Sequence, residues 1–400
     1  MPESSRGCSS GDTYESGSSD QQQVRRALFK ISAAAGLAPF ISFLPGCAST
    51  SASASPGAAS DLVGKMVAPT GRTHRVVPSK DTVRVGQMDP SAPAAAIIRS
   101  GDVVHYDGTW TQWGNEAKYG MSFEEREPIR KKYPAGPYSL IGPIEIEGAM
   151  PGDVVECRML KLRPIDWGWN SSPKGVGALP ADFQKPYLRY LKFNKERTAA
   201  EFLPGVTIPL APFQGVFAAQ PVGDKPTSGI LAGPYGGNLD LAELVAGTSL
   251  FLPVQVAKAR IWTGDSNGAQ GDGVVNQTAI ETALEDLQVQ YVLHKKSVLN
   301  SPMVETPTHW IGLGFGESLE TALVSCLRQV IAWMSKATAI SLEDCYGICS
   351  VAASFRVTQY SNQTGTVYSS IPPKGVHCML PKALFTPELQ ARLANSLRGE

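Results

Sequence analysis

Three observations predict a mainly β protein with an α+β C-terminal portion. Short apolar runs alternate with polar residues through the first two thirds of the chain. The 39 glycines and 30 prolines in 400 residues supply many turns. A strong helical stripe appears only near the C-terminus. The expected architecture is a β-sandwich or barrel-like body followed by helices. Apolar residues make up 42% and charged residues 18%, which is a globular balance. The formal net charge is zero, so no long-range field draws in nucleic acid or an anionic membrane, and no nucleic-acid partner is expected.

The chain opens on an address. Residues 1–24 are rich in Ser, Gly and Gln and lack apolar periodicity. Arg25-Arg26-Ala27-Leu28-Phe29-Lys30 then has the pattern of a twin-arginine export motif. The apolar run 31–44 is too short for an ordinary membrane span and ends in Leu44-Pro45-Gly46-Cys47, a lipobox-like sequence with Cys47 as the residue to be lipidated. Residues 1–47 are therefore read as an export signal and 48–61, rich in Ser, Ala and Gly, as a flexible tether. The expected location is the periplasm or cell envelope, with any membrane association made through lipid on Cys47.

Residues 62–275 form the β-rich region. Strands are expected near 75–77, 82–85, 96–99, 103–106, 143–147 and 153–160, with Gly101-Asp102 and Gly152-Asp153 each opening one. Residues 164–200 have no clear period and are read as an irregular excursion. Strands return at 209–213, 236–240 and 248–256. Residues 276–400 are the α+β portion. Ile280, Leu284 and Leu287 suggest a helix over 276–287. Leu319, Leu323, Leu327, Val330, Ile331 and Met334 form the stripe of a helix over 317–337. Ser341 is an N-cap for a helix ending near Ala353, and Phe355, Val357 and Gln359 alternate as a strand.

Beyond the signal the cysteines are Cys157, Cys326, Cys345, Cys349 and Cys378, an odd and sparse set that does not make a disulfide scaffold. Cys345 and Cys349 read as buried thiols on one helix face. His74, His105, His294, His309 and His377 read singly as surface or satisfied core residues, with His105, on a strand just after Gly101-Asp102, the one worth testing.

Several blocks carry chemistry. These are Gly142-Pro143-Ile144-Glu145-Ile146-Glu147-Gly148-Ala149-Met150-Pro151-Gly152-Asp153, Pro212-Phe213-Gln214-Gly215-Val216, Gly236-Gly237-Asn238-Leu239-Asp240, and 246–254. Gly264-Asp265, Ala269-Gln270-Gly271-Asp272-Gly273 and Thr278-Ala279-Ile280-Glu281 follow. In order and spacing they resemble the acetamidase/formamidase family. The resemblance implies that family's fold, hydrolysis of the C–N bond of a small linear amide to carboxylate and ammonia, a divalent metal and a homo-oligomer. On it, Asp265, Asp272 and Gln270 are candidate catalytic residues. Asn238, Asp240, Tyr138, Tyr235 and Asn267 are candidates for binding substrate. Asp240, Asp265 and Asp272 are the carboxylates left to hold an ion. Tyr138, Tyr235 and Asn267 stand where the family commonly has histidine, and Val274 where it has glutamate. Imidazole is a good ligand for a transition metal and phenol a poor one, so the retained carboxylates point to a hard cation or none. The alternative reading is a non-catalytic relative, acting as a binding or structural lipoprotein of the envelope.

Overall fold

The computed structural model describes residues 71–297, 299–360 and 368–400. Residues 1–47, read as an export signal ending at Cys47, and 48–61, read as a tether, lie outside the described residues.

Two sheets pack face to face. The larger has nine strands in the order Thr73–Val76, Val103–Tyr106, Leu284–His294, Val154–Pro164, Ser249–Pro253, Met303–Glu305, His309–Gly316, Lys374–Pro381 and Ser354–Gln359. The second runs Ala232–Gly233, Gly236–Asn238, Phe213–Ala219, Ile261–Asn267, Ser139–Ile146 and Val83–Val85, with Ala96–Ile98 also pairing to Ser139–Ile146. Their shared core joins Tyr106, Val155, Cys157 and Val289 of the first to Ile141, Ile144, Phe217 and Ile261 of the second. The mainly β class read from the alternation is the class observed. The nine-stranded sheet takes strands from both sides of residue 275, so the α+β portion and the β-rich region share one sheet.

The alternation works because the larger sheet is covered on both faces. Along Val154–Pro164, Val155, Cys157 and Met159 enter the inter-sheet core, while Val154 faces a second core built with the helices. That second core places Phe251, Met303 and Trp310 against Ala322, Cys326, Val330 and Met334 of the helix Leu319–Thr338, and against Leu393 and Leu397 of Pro387–Arg398. Ser318 caps the first of these helices and Ser341 caps Leu342–Ala352, each accepting from the backbone N–H three residues on. The glycines of His309–Gly316 permit the close approach. A Cβ on Gly314 would overlap the backbone of Ala322 and Cys326, and one on Gly312 would overlap Val330.

Three expectations need correction. Residues 276–287 are not a helix: the chain runs extended into the strand Leu284–His294, where Leu284 and Leu287 face the inter-sheet core. Their spacing is helical, but pairing with Val154–Pro164 and Val103–Tyr106 makes a strand, and a register shift between Leu284 and Asp286 turns both leucines to the same core. The stretch 164–200 is not irregular throughout, since Trp167–Ser172 pairs antiparallel with Tyr187–Lys192. Leu323 lies on the outer side of its helix and is exposed, while Val330 and Met334 of the expected stripe are buried together with Ala322 and Cys326, which the stripe did not include. A helix that was not expected, Phe123–Lys132, follows a capping box in which Ser122 and Glu125 bond reciprocally.

Candidate active site

Backbone pairing brings the glycine-rich blocks together. Phe213–Ala219 lies between Gly236–Asn238 and Ile261–Asn267, with Val216 opposite both Asn238 and Gly264. Ile261–Asn267 pairs in turn with Ser139–Ile146, which begins one residue after Tyr138. Asp265 and Asn267 therefore rise from one strand, Asn238 and Asp240 from the end of its neighbour's partner, and Gly215 lies between them. A Cβ on Gly215 would overlap Asp265 Oδ2 and sit 2.8 Å from Asp240 Oδ1 and 3.0 Å from Asn267 Nδ2. Only glycine leaves the space those three side chains occupy.

The backbone is strained at the same place. Asp240 has φ 47° and Asp265 φ 59°, both in the left-handed region. Such conformations cost on the order of 1–3 kcal/mol each and persist where the surroundings enforce them. Here Gly215 O accepts from the backbone N–H of both Leu239 and Asp240.

Glu281 completes the cluster. Its backbone bridges to Trp169 and Asn267, its Oε2 accepts from Gln112 Nε2 at 2.7 Å, and its Oε1 accepts from the backbone N–H of Ala279 at 3.1 Å. Asp240, Asp265 and Glu281 are all buried. Burial, with mutual repulsion added, lifts Asp240 to about 7 and holds Asp265 well above the ordinary carboxylate range. Burial likewise lifts Glu281 to about 7. The three cannot all be ionised together, so at neutral pH the cluster holds at least one proton.

Amide side chains ring these acids. Asn238 Nδ2 donates to Asp240 Oδ2 at 3.1 Å and to Gln359 Oε1 at 3.2 Å, and Gln359 Nε2 returns a bond to Asn238 O at 2.9 Å. Gln270 Nε2 donates to Asp240 O at 2.6 Å. Asn267 Nδ2 lies 3.3 Å from Asp265 O. Four buried oxygens have no donor: Asn238 Oδ1, Asp265 Oδ1, Asn267 Oδ1 and Gln270 Oε1. Native structures rarely leave such acceptors bare, so a group rich in N–H or O–H, or a cation, suits them.

Tyr138 is buried, and the charges of Asp265, Asp240 and Glu281 act on its phenol, which burial keeps protonated. Tyr235 is half-buried, packs on the same apolar cluster and is raised to about 12 by burial. Both are neutral hydroxyls here. Val274 takes φ 45°, an outlying conformation for a β-branched residue. His105 pairs with Asp286 at 3.1 Å, and Asp286 also pairs with Lys161.

Asp272 is parted from Asp240 and Asp265. Its side chain is 41% exposed and lies near Glu243 and His377. Among the described residues, Glu243, Asp272 and His377 form one group of three whose ligand atoms all lie within 4.8 Å of one another. The trio Asp240, Asp265 and Asp272 expected to hold an ion is thus replaced by a nitrogen-containing set. His377 Nδ1 bonds Thr358 Oγ1 at 2.9 Å, which leaves Nε2 to face Glu243 Oε1 at 3.8 Å. Nε2 and Glu243 Oε2 are buried without hydrogen-bond partners. Burial first, then Arg356, lowers the imidazole to about 4, so it is neutral and able to ligate. Arg356 lies 3.4 Å from Glu243 and 3.8 Å from Asp272, occupying with its own charge the place a cation would take. Because Arg356 is about half exposed, it can turn to solvent, and the donor set then fits a divalent ion. Thr358 and Gln359 link the two clusters: adjacent on one strand, they serve His377 and Asn238 respectively.

Sequence reasoning missed Glu281, Glu243, His377, Gln112 and Arg126 as members of this region. Glu281 lay inside a recognised block, and only its assignment to a helix hid it.

The fold and this cluster define a mainly β protein of two packed sheets with a buried carboxyl site. A sequence profile of the acetamidase/formamidase family matches residues 80–229 and 222–385, and the chain belongs to that family. An acetamidase of Mycolicibacterium smegmatis is 24% identical over 250 residues, 47% of this chain and 60% of that protein. A formamidase of Methylophilus methylotrophus is 25% identical over 284 residues, 55% and 68% of the two chains. The chain spans about three fifths of the length of the first curated relatives it matches. The crystal structure of an acetamidase from Bacillus halodurans superposes with a TM-score of 0.69 at 25% identity, covering 78% of this chain and 98% of that one.

Proposed function

We propose that the protein hydrolyses the C–N bond of a small linear amide to a carboxylate and ammonia. The observation that carries this reading is the buried set Asp240, Asp265 and Glu281 beside unpaired amide oxygens. Two carboxyls near 7 and a third held well above the ordinary carboxylate range share protons at neutral pH, so the cluster offers both a base and an acid. In this reading Glu281 or Asp240 takes a proton from the attacking water. Asp265, retaining its proton, donates toward the substrate carbonyl or leaving nitrogen. Asn238, Asn267 and Gln270 accept from the substrate NH₂, and Tyr138 and Tyr235 close the apolar side. Formamide and acetamide match in size and class, as the names of the relatives suggest.

A divalent ion on Glu243, Asp272 and His377 would supply Lewis acidity and a more acidic bound water when present. That set also revises the expectation of a purely hard cation, since imidazole with two carboxylates suits transition ions as well. Asp272 serves better there than as a base on water.

The test is ammonia release from a panel of formamide, acetamide and propionamide, with Asp265→Asn and Glu281→Gln. Each variant should lose on the order of 100-fold in kcat/KM. The wild-type rate should rise with pH through about 7 as the base ionises. No ammonia from any amide, in protein both apo and loaded with zinc, manganese or magnesium, would favour the non-catalytic reading, for which the replacement of imidazoles by Tyr138 and Tyr235 speaks.

Export and anchoring are part of the same proposal, supported by Arg25-Arg26 and Leu44-Pro45-Gly46-Cys47. A reporter carrying residues 1–60 should leave the cytoplasm, and Arg25→Lys with Arg26→Lys should retain it. Unchanged export of the double variant would refute the twin-arginine route.

A further inference from the structure

We propose that the amide this site accepts carries a carboxylate a few bonds from the scissile group, and that Arg126 binds that carboxylate. The inference rests on the hydrolase reading for the amide half of the substrate and on independent observations for the anionic half.

Glu281 and Tyr138 line a cavity of about 60 Å³ together with Gln112, Trp113, Arg126 and Tyr368. A space of that size holds roughly a few water molecules, so its occupant is short. Arg126, on the helix Phe123–Lys132, is 2% exposed. Its guanidinium lies 4.7 Å from the centre of the Trp169 ring, 5.1 Å from that of Tyr190 and 5.8 Å from that of Trp113. Its Nη2 donates to Tyr190 Oη at 2.8 Å, and its Nε–H, buried, has no acceptor. Among the described residues no carboxylate lies within ion-pair distance of it. Arg130, one turn on, is paired with Glu127 at 3.0 Å.

A buried cation with no carboxylate in contact is costly, and the aromatic faces and the more distant charge of Glu281 offset only part of that cost. The aromatic cage fixes the plane of the fork while leaving its hydrogen-bonding capacity partly unused. A planar carboxylate is the ligand such a fork recognises best. Glu281 on the same cavity wall fixes the polarity of the occupant: carboxylate toward Arg126, amide toward Glu281 and its neighbours Asp265 and Asp240. Short monoamides of dicarboxylic acids, of the oxamate and malonamate type, meet both ends. The reaction balances as amide plus water giving the dicarboxylate and ammonium: the C–N bond breaks, a C–O bond forms, and the protons of water pass to nitrogen.

The experiment compares malonamate with malonamide, which match in size and differ in charge, and measures malonate binding by calorimetry as a probe that needs no turnover. Wild type should favour malonamate in kcat/KM by at least about tenfold, and Arg126→Gln should erase that preference and weaken malonate binding by a factor on the order of 10–100. Arg126→Lys, which keeps the charge and loses the fork, should fall between. Should both variants fail to fold, the wild-type preference and malonate binding decide alone. Hydrolysis of neutral amides with no preference for malonamate and no malonate binding would overturn this inference and leave the hydrolase reading standing. Malonate binding unaffected in Arg126→Gln would equally overturn it. Arg126-dependent malonate binding with no amide turned over would keep the carboxylate site and overturn the hydrolase reading.

Discussion

Asp265 concentrates the cost of the site in one residue. It adopts a left-handed backbone within a wholly buried strand, keeps an unpaired Oδ1, and faces two further acids. In the unfolded chain it ionises near the ordinary aspartate value of about 3.9. In the fold, burial, Glu281 and Asp240 hold it well above that. Between those values the native state binds more protons than the unfolded state, so stability is fullest at low pH and falls as pH rises. Asp240 and Glu281, lifted to about 7, extend the decline through neutrality. Asp265→Asn should therefore raise Tm at pH 8, by about 2–4 °C for each kcal/mol recovered, and by clearly less at pH 5. Equal shifts at both pH values in thermal denaturation would show that the carboxyl does not carry the proton. Gly215→Ala isolates geometry from charge. The added methyl displaces Asp265, Asp240 and Asn267 without changing a titrating group. It should lower kcat/KM on the order of 100-fold with only a modest fall in Tm. The blocks containing Asn238, Asp240, Asp265, Asn267 and Gln270 were legible in the sequence through the order in which they resemble the family's blocks, a lone Gly-Asp or Gly-Gly being uninformative. The grouping was not. Asp272 is two residues from Gln270, yet it faces Glu243 and His377, and nothing in linear spacing shows that parting. His377 was unreadable for the same reason: a lone histidine reveals neither its burial nor its bare Nε2.

At the scale of elements, alternation was the reliable signal and helical spacing the ambiguous one. Ile280, Leu284 and Leu287 fall on one helical side, yet Ile280 packs in a separate cluster and a register shift lets the strand turn Leu284 and Leu287 to one core. The helix Phe123–Lys132 escaped notice for the opposite reason. It buries Arg126 and Arg130 along with Ile129, so its packed face carries charge and shows no apolar stripe. The long helix Leu319–Thr338 was readable, but its contact with the sheet depends on glycines of the strand His309–Gly316. Gly314 faces backbone atoms of Ala322 and Cys326, which have no rotamer by which to yield. Gly314→Ala should then cost at least about 1–3 kcal/mol, the usual range for overpacking. Gly271→Ala, with open space around it, should be nearly neutral by comparison. Urea denaturation of the two variants checks the contrast, and similar midpoints would show that the helix shifts freely.

For the whole molecule, the cysteines connect fold to destination. Cys157, Cys326, Cys345, Cys349 and Cys378 are free and buried. Burial raises each thiol: Cys349 to about 11, Cys326 to about 12, and Cys157, Cys345 and Cys378 also upward. A thiol kept protonated and away from solvent is a poor nucleophile, so an oxidising compartment does not attack it while the fold holds. Such a chain tolerates export only if it stays folded, which agrees with the proposed twin-arginine route without requiring it. Native protein should thus react slowly with a thiol reagent such as Ellman's, and all five of these cysteines should titrate once the chain is unfolded in guanidinium. Cys47 then reports on anchoring in the same measurement. Envelope protein cleaved before Cys47 and lipidated there should yield five thiols on unfolding, since the acylated sulfur is blocked. Uncleaved protein keeps both Cys8 and Cys47 and should yield two more, and Cys47→Ser should remove one of those two. Rapid reaction of any of the five buried thiols in the native state would contradict the burial on which this expectation rests.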